Sequence, residues 1–237
     1  MKLKKATVLV AGLALLTMVV SGCGSAKEAA FTSKDGITVT ATDQWKQLES
    51  QEELTDLYMD QVDDALAESV DLALKAGDKM YFTIEKIDIA EDMDYLHTMA
   101  DMLKTELAEY GEEDVVAMLK DNNFTDEEIE ILNKLTAEDA DFELLYQQFT
   151  NVSWFEQLSD MKDYSFTGSE DATVLGQASA ISEYSYTNND SVKLHFYEAS
   201  IVKDGILYTL NGWCDDDSFS KNKDTLKSMI TTAKWAE

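Results

Sequence analysis

Between Ala172 and Trp213 the chain passes three times through strand-forming residues, and a tight-turn signal separates each pass from the next. Ala172 to Tyr186 reads as one extended run. Asn188-Asn189-Asp190 turns the chain. Val192, Leu194 and Phe196 then alternate with Lys193, His195 and Tyr197 in a run that continues to Val202. Lys203-Asp204-Gly205 turns it again, and Ile206 to Trp213 returns. Period-two alternation buries one face of each run, and Asp-Gly supplies the positive φ that a two-residue hairpin needs. Three strands joined this tightly form an antiparallel meander.

The remaining segments must pack on that sheet. Phe31-Thr32-Ser33 and Ile37 to Thr40 flank Lys34-Asp35-Gly36, a second Asp-Gly hairpin, closed by Trp45. Over Glu52–Lys75 the period becomes helical: Leu54, Leu57, Tyr58, Val62, Leu66, Val70, Ala73 and Leu74 share one face, and Gly77 is placed to stop the helix. Lys79 to Asp88 reads as a strand with Met80, Phe82 and Ile84 on one side. From Asp92 to Tyr164 the pattern is helical in pieces, and an apolar stripe from Tyr95 to Leu107 ends at Gly111. Thr125-Asp126-Glu127-Glu128 has the spacing of a capping box, with Phe124 and Ile129 as its hydrophobic staple, and Ser153-Trp154-Phe155-Glu156 repeats the box. A closing helix carries Leu226, Met229, Ile230 and Ala233. The order of hairpin, helix, strand, helices, three strands and helix predicts an α+β fold, an antiparallel sheet with helices packed on it.

Four stretches resemble small lipoproteins of Gram-positive bacteria with a PsbP-like α/β/α sandwich: Phe31 to Gly36, Trp45, Lys203 to Leu210, and Lys221 to Ile230. The resemblance covers both ends of the chain and leaves a helical insertion of about 105–160 outside it. It implies a binding or assembly factor rather than an enzyme, and it supplies no catalytic residues.

The N-terminus predicts where the protein resides. Three lysines precede an apolar run from Ala6 to Val20, followed by Ser21, Gly22 and Cys23. This is the layout of an export signal. The run is about 15 residues, short of the roughly 20 that a spanning helix needs. Val20-Ser21-Gly22-Cys23 resembles the lipobox of bacterial lipoproteins. That resemblance implies cleavage between Gly22 and Cys23 and a diacylglyceryl group on the Cys23 thiol. Residues 1–22 are then a lipoprotein signal peptide, 23–30 the lipidated Cys23 and a linker, and 31–237 the α+β domain. Acyl chains in pairs hold a protein stably on a bilayer where one does not. The expected location is the extracytoplasmic face of the cell membrane.

Charge supports a covalent anchor. The net charge is −28, and loss of Lys2, Lys4 and Lys5 with the signal takes it to −31. Such a body repels nucleic acid, whose binding needs phosphates neutralised by cations, and it repels anionic headgroups as well. It favours a cationic or envelope protein partner. No cofactor is expected beyond the lipid on Cys23. Cys214 would be the one unmodified cysteine and reads as a small buried hydrophobe.

Other constellations are weaker. Glu112-Glu113-Asp114, Asp126-Glu127-Glu128 and Glu138-Asp139 read as helix starts, where carboxylates oppose the positive end of the helix. Asp215, Asp216 and Asp217 are the candidate cation ligands, because they lie between a strand and a helix. His97 and His195 lack a second ligand at metal spacing. Trp45, Trp154, Trp213, Trp235, Tyr184, Tyr186, Tyr197 and Tyr208 could line a binding groove, with core packing as the simpler role. The sequence therefore predicts a non-catalytic, lipid-anchored binding or assembly module. An envelope hydrolase using acidic residues is the alternative.

Overall fold

The computed structural model describes residues 27–50, 52–54 and 64–236. Gly22 and Cys23 lie outside them. Two antiparallel sheets and a set of helices make up an α+β fold. Strands β1 (Glu28–Thr32), β2 (Ile37–Thr42) and β10 (Lys234–Trp235) form a small sheet in the order β1-β2-β10. The larger sheet uses β3 (Trp45–Gln47), β4 (Val70–Ala76), β5 (Met80–Asp88), β6 (Ser165–Val174), β7 (Gln177–Thr187), β8 (Lys193–Lys203) and β9 (Ile206–Asp215), in the order β3-β4-β5-β9-β8-β7-β6. The predicted meander is its centre: Phe196 sits opposite Trp213, and Leu194 opposite Asp215.

Alternation along these strands feeds two cores on opposite faces. One face carries Phe82, Ile84, Ile201, Leu210 and Cys214 against Leu226, Met229 and Ile230 of helix α6 (Asp216–Thr231), with Ile37 and Val39 of the small sheet closing it. The other carries Tyr184, Phe196 and Trp213 against Leu158 and Phe155 of helix α5 (Phe142–Leu158). Helices α2 (Ala90–Tyr110), α3 (Glu112–Asp121) and α4 (Asp126–Lys134) pack with α5 around a third cluster that includes Leu103, Val115, Leu132 and Leu145. All four helices are inserted between β5 and β6, and the first begins at Ala90, two residues before the helical pattern read from Asp92.

Helix α4 starts as its sequence predicts. The Thr125 hydroxyl accepts from the Glu128 N–H at 3.2 Å, and the Glu128 carboxylate accepts from the Thr125 N–H at 2.9 Å. The second box does not form, because Ser153 lies in the middle of α5, whose cap is Asp141. The Ser153 hydroxyl donates instead to Glu128 at 3.0 Å and ties α5 to α4. Glu138-Asp139 precedes that cap and does not open a helix.

Two strands differ from the sequence reading. The helical period over 52–75 gives a helix at 52–54 and at α1 (Asp64–Ser69), but Val70–Ala76 is strand β4. Val70, Asp71, Leu72, Ala73 and Leu74 are all buried, so both faces of β4 are covered and no alternation marks it. Gly77 accordingly sits in the β4–β5 turn, with φ 61°. The run from Ala172 to Tyr186 is two strands, broken at Leu175 and Gly176, whose φ values are 52° and 84°. Consecutive positive φ values are those of a type I′ hairpin, which Gly accepts without cost and Leu does not.

An ionic cluster around the buried Asp71 fixes the first hairpin on the large sheet. Asp71 accepts from the Asp35 N–H at 3.1 Å, and its carboxylate is fully shielded from solvent. Lys86 lies 2.5 Å from Asp35 and 3.4 Å from Asp71. Tyr208 donates to Asp35 at 3.1 Å. Burial opposes the Lys86 charge, but these two carboxylates outweigh it and hold the ammonium above its ordinary range.

Candidate binding cleft

A concavity lies where the inserted helices meet the β6 end of the sheet. It is an open cleft of about 750 Å³. One wall is α4 and α5, with Glu127, Glu130, Ile131, Lys134, Val152, Phe155 and Glu156. The other is Tyr164, Phe166 and Ser169 on and before β6, and Ala180 and Ser182 of β7. Phe166 is 45 % exposed and its ring centre stands 5.1 Å from that of Phe155. The Ser169 and Ser182 hydroxyls share a hydrogen bond of 2.7 Å. An apolar stripe with hydrogen-bonding groups beside it is the composition of a recognition surface. Lys134 is the single cation of the lining, and it is paired with Glu130 at 2.8 Å.

Behind α5 lies a polar strip on the same sheet face. Glu198 of β8 is buried, and Tyr184 donates to it at 2.7 Å. Burial pushes the Glu198 carboxyl up to about 7; the Tyr184 hydrogen bond works against this, the Glu85 charge adds to it, and a hydrogen bond from Trp154 works against it. Tyr184 is itself driven well above the usual tyrosine range, by burial first and then by the Glu198 charge. Glu198 does not line the cleft.

The residues singled out from sequence are scattered. Asp215 caps α6, accepting from the Ser218 N–H at 3.1 Å, and it is paired with Lys79 at 2.5 Å. Burial favours the neutral acid, but the Lys79 and Ser218 hydrogen bonds outweigh it and hold the carboxyl below its usual range. Asp216 faces His195 at 2.6 Å. Both Asp215 and Asp216 thus have protein partners, and among the described residues no group of three or more His, Cys, Asp or Glu is placed to hold a metal ion. His195 stacks on Phe219, and His97 lies against Phe142.

Most of the aromatic set goes to the core. Trp45, Trp213, Tyr184, Tyr197 and Tyr208 are buried, Tyr186 and Trp235 are half-buried, and Trp154 is 41 % exposed. None of these eight lines the cleft. Its aromatic residues are Phe155, Tyr164 and Phe166, which the sequence did not single out as a group. The sequence pattern ends its helical segment at Tyr164 and starts its strand at Ala172, so Phe166, in β6 from Ser165, falls in neither. Cys214 is fully buried, and burial pushes its thiol up to about 11.

No described helix is long and apolar enough to cross a membrane. No family model matches the sequence, and no curated protein matches it. Among solved structures, the chain is similar to the cyanobacterial PsbP protein, CyanoP, of Synechocystis sp. PCC 6803, with 12% identity, a TM-score of 0.45, and 92% of this chain and 98% of that chain covered. It is also similar to LpqN, involved in cell envelope biogenesis of Mycobacterium tuberculosis, with 11% identity, a TM-score of 0.40, and 90% and 93% covered. A protein of unknown function from Pseudomonas aeruginosa gives 7% identity, a TM-score of 0.39, and 86% and 94% covered.

Proposed function

We infer that this chain is a lipid-anchored binding or assembly module of the cell envelope, held on the extracytoplasmic face of the membrane and working without catalysis. The observation that carries this reading is the open cleft, whose lining combines Phe155, Tyr164 and Phe166 with hydroxyl, amide and carboxylate groups. Such a surface suits a partner that is held and released. The carboxyl raised furthest toward neutral pH, Glu198, lies outside that lining, where it supports the sheet. An acid–base enzyme would place such a group in the concavity.

Cys23 supplies the anchor. Its thiol takes a diacylglyceryl group after cleavage behind Gly22. Strand β1 begins at Glu28, five positions further on, so covalent geometry alone keeps the domain within about 18 Å of the anchor. The negative body would otherwise leave an anionic bilayer.

Two measurements test the reading. Mass spectrometry of the mature protein should find an acylated N-terminal Cys23, and Cys23→Ala should release the body or leave it unprocessed. Co-purification of the intact lipoprotein should return a membrane-associated partner that is lost on Phe166→Ala with Phe155→Ala. An unmodified Cys23 on a secreted product removes the anchor, and a partner indifferent to the cleft removes the binding surface.

A further inference from the structure

The large sheet ends in two unlike rims. β3 is three residues long, whereas β6 is ten. A strand at the rim of a sheet offers unpaired N–H and C=O groups to any extended chain that approaches, and a short rim is one way that proteins blunt this. At β6 the rim is long. Among the described residues its backbone hydrogen-bonds only with β7, which leaves the outer side open. An irregularity between Phe166 and Gly168 interrupts the strand near its start. Beyond it, Ser169 to Val174 runs in unbroken register against Ser182 to Gln177.

The cleft opens beside this rim, and Phe166 and Ser169 belong to both. A chain laid along β6 would send alternate side chains to each face of the sheet, so every second one would fall toward Phe155, Tyr164 and Phe166. Charge then selects the occupant. Glu127, Glu130 and Glu156 line the cleft against Lys134, Asp171 sits opposite Ala180 of the same lining, and on the rim Glu170 is paired with Lys227 of α6 at 2.6 Å, which leaves carboxylates in excess. A second copy of this chain, with its net charge of −28, would bring like charges together across the new pair of strands. A cationic segment would be drawn in.

We propose that β6 is a docking rim for an extended, lysine- or arginine-bearing segment of a partner protein, which pairs backbone to backbone with Ser169–Val174 and places an apolar side chain in the cleft. This rests on the binding-module reading above and names the chemistry of its partner.

A nonapeptide alternating lysine and valine around a central phenylalanine is a suitable probe, titrated into the full-length chain in detergent micelles. At saturation, hydrogen exchange at the outward amides of residues 169–174 slows at least tenfold. N-methylation of alternate peptide amides weakens binding at least tenfold, because it removes the donors that strand pairing uses. Glu127→Lys with Glu156→Lys, both exposed positions, weakens binding by a similar factor, as does added salt. The proposal fails if the probe does not bind, if the methylated peptide or a glutamate-for-lysine peptide binds as tightly, or if protection appears away from β6. Those failures leave the anchor and the co-purified partner in place, whereas an unlipidated, partnerless protein leaves the peptide result in place.

Discussion

The Tyr184 hydroxyl donates to the Glu198 carboxylate across 2.7 Å, and both side chains are buried beneath α5. Burial lifts the Glu198 carboxyl from its ordinary 4.5 to about 7, so the folded chain holds this proton more tightly than the unfolded chain does. The stability this group contributes is therefore complete below about 4.5 and is lost as pH rises through about 7. Across that window the change is on the order of 3 kcal/mol. Glu198→Gln should flatten the pH dependence of the urea midpoint between about pH 5 and pH 8 and raise stability at the upper end. An unchanged slope would remove Glu198 as its source.

Asp71 should be among the least replaceable polar residues of the fold. Its carboxylate is shielded from solvent and holds both the Asp35 N–H and the Lys86 ammonium. Asp71→Ala leaves that donor and that cation without their partner, at a cost of about 3 kcal/mol. Chemical denaturation of the two proteins should show that loss with little change in the m-value. An effect below about 1 kcal/mol would mean that water replaces the carboxylate.

Gly212 is needed for space. A Cβ built there would lie 3.3 Å from Leu226 Cβ and Cδ2 and 3.4 Å from Phe82 Cδ2, where α6 packs on β9. Gly212→Ala requires Leu226 to give by a few tenths of an ångström, and overpacking of this kind costs about 1–3 kcal/mol. Gly176→Ala meets no atom and carries only the strain of φ 84°, on the order of 1 kcal/mol. Thermal melts should rank Gly212→Ala as the more damaging substitution.

Cys214 should be chemically silent in the folded protein. Its thiol is buried and pushed up to about 11, so little thiolate is present near neutral pH. Alkylation with iodoacetamide at about pH 8 should leave Cys214 unmodified until denaturant is added. Labelling at the free-cysteine rate in native buffer would place the residue in an accessible state.

The elements that could be read from sequence are those whose signals are local. Gly36 in the first turn, and Asp204 with Gly205 in the second, take positive φ, and both turns join strand to strand. Thr125 and Glu128 cap α4 because the two residues satisfy each other at a fixed spacing. The misreadings come from packing. β4 lies inside the sheet with both faces covered, so Val70, Ala73 and Leu74 fit a helical stripe as well as a strand. Ser153 satisfies the capping pattern only because glutamate is so frequent in this chain, and its hydroxyl goes to another helix. The cleft was hidden for the same reason, since Phe155 and Phe166 meet only once α5 and β6 have been brought together. The lipid site at Cys23 rests on sequence alone, outside the described residues.

The inequality of the two sheet rims sets a limit on stoichiometry. Three residues at β3 provide too little backbone to template a further strand, whereas ten at β6 provide enough for one. Any lateral growth of this sheet is therefore confined to the β6 side. Two copies could share an edge only through their long rims, and the like charges carried there, with a net charge of −28 per chain, oppose that pairing.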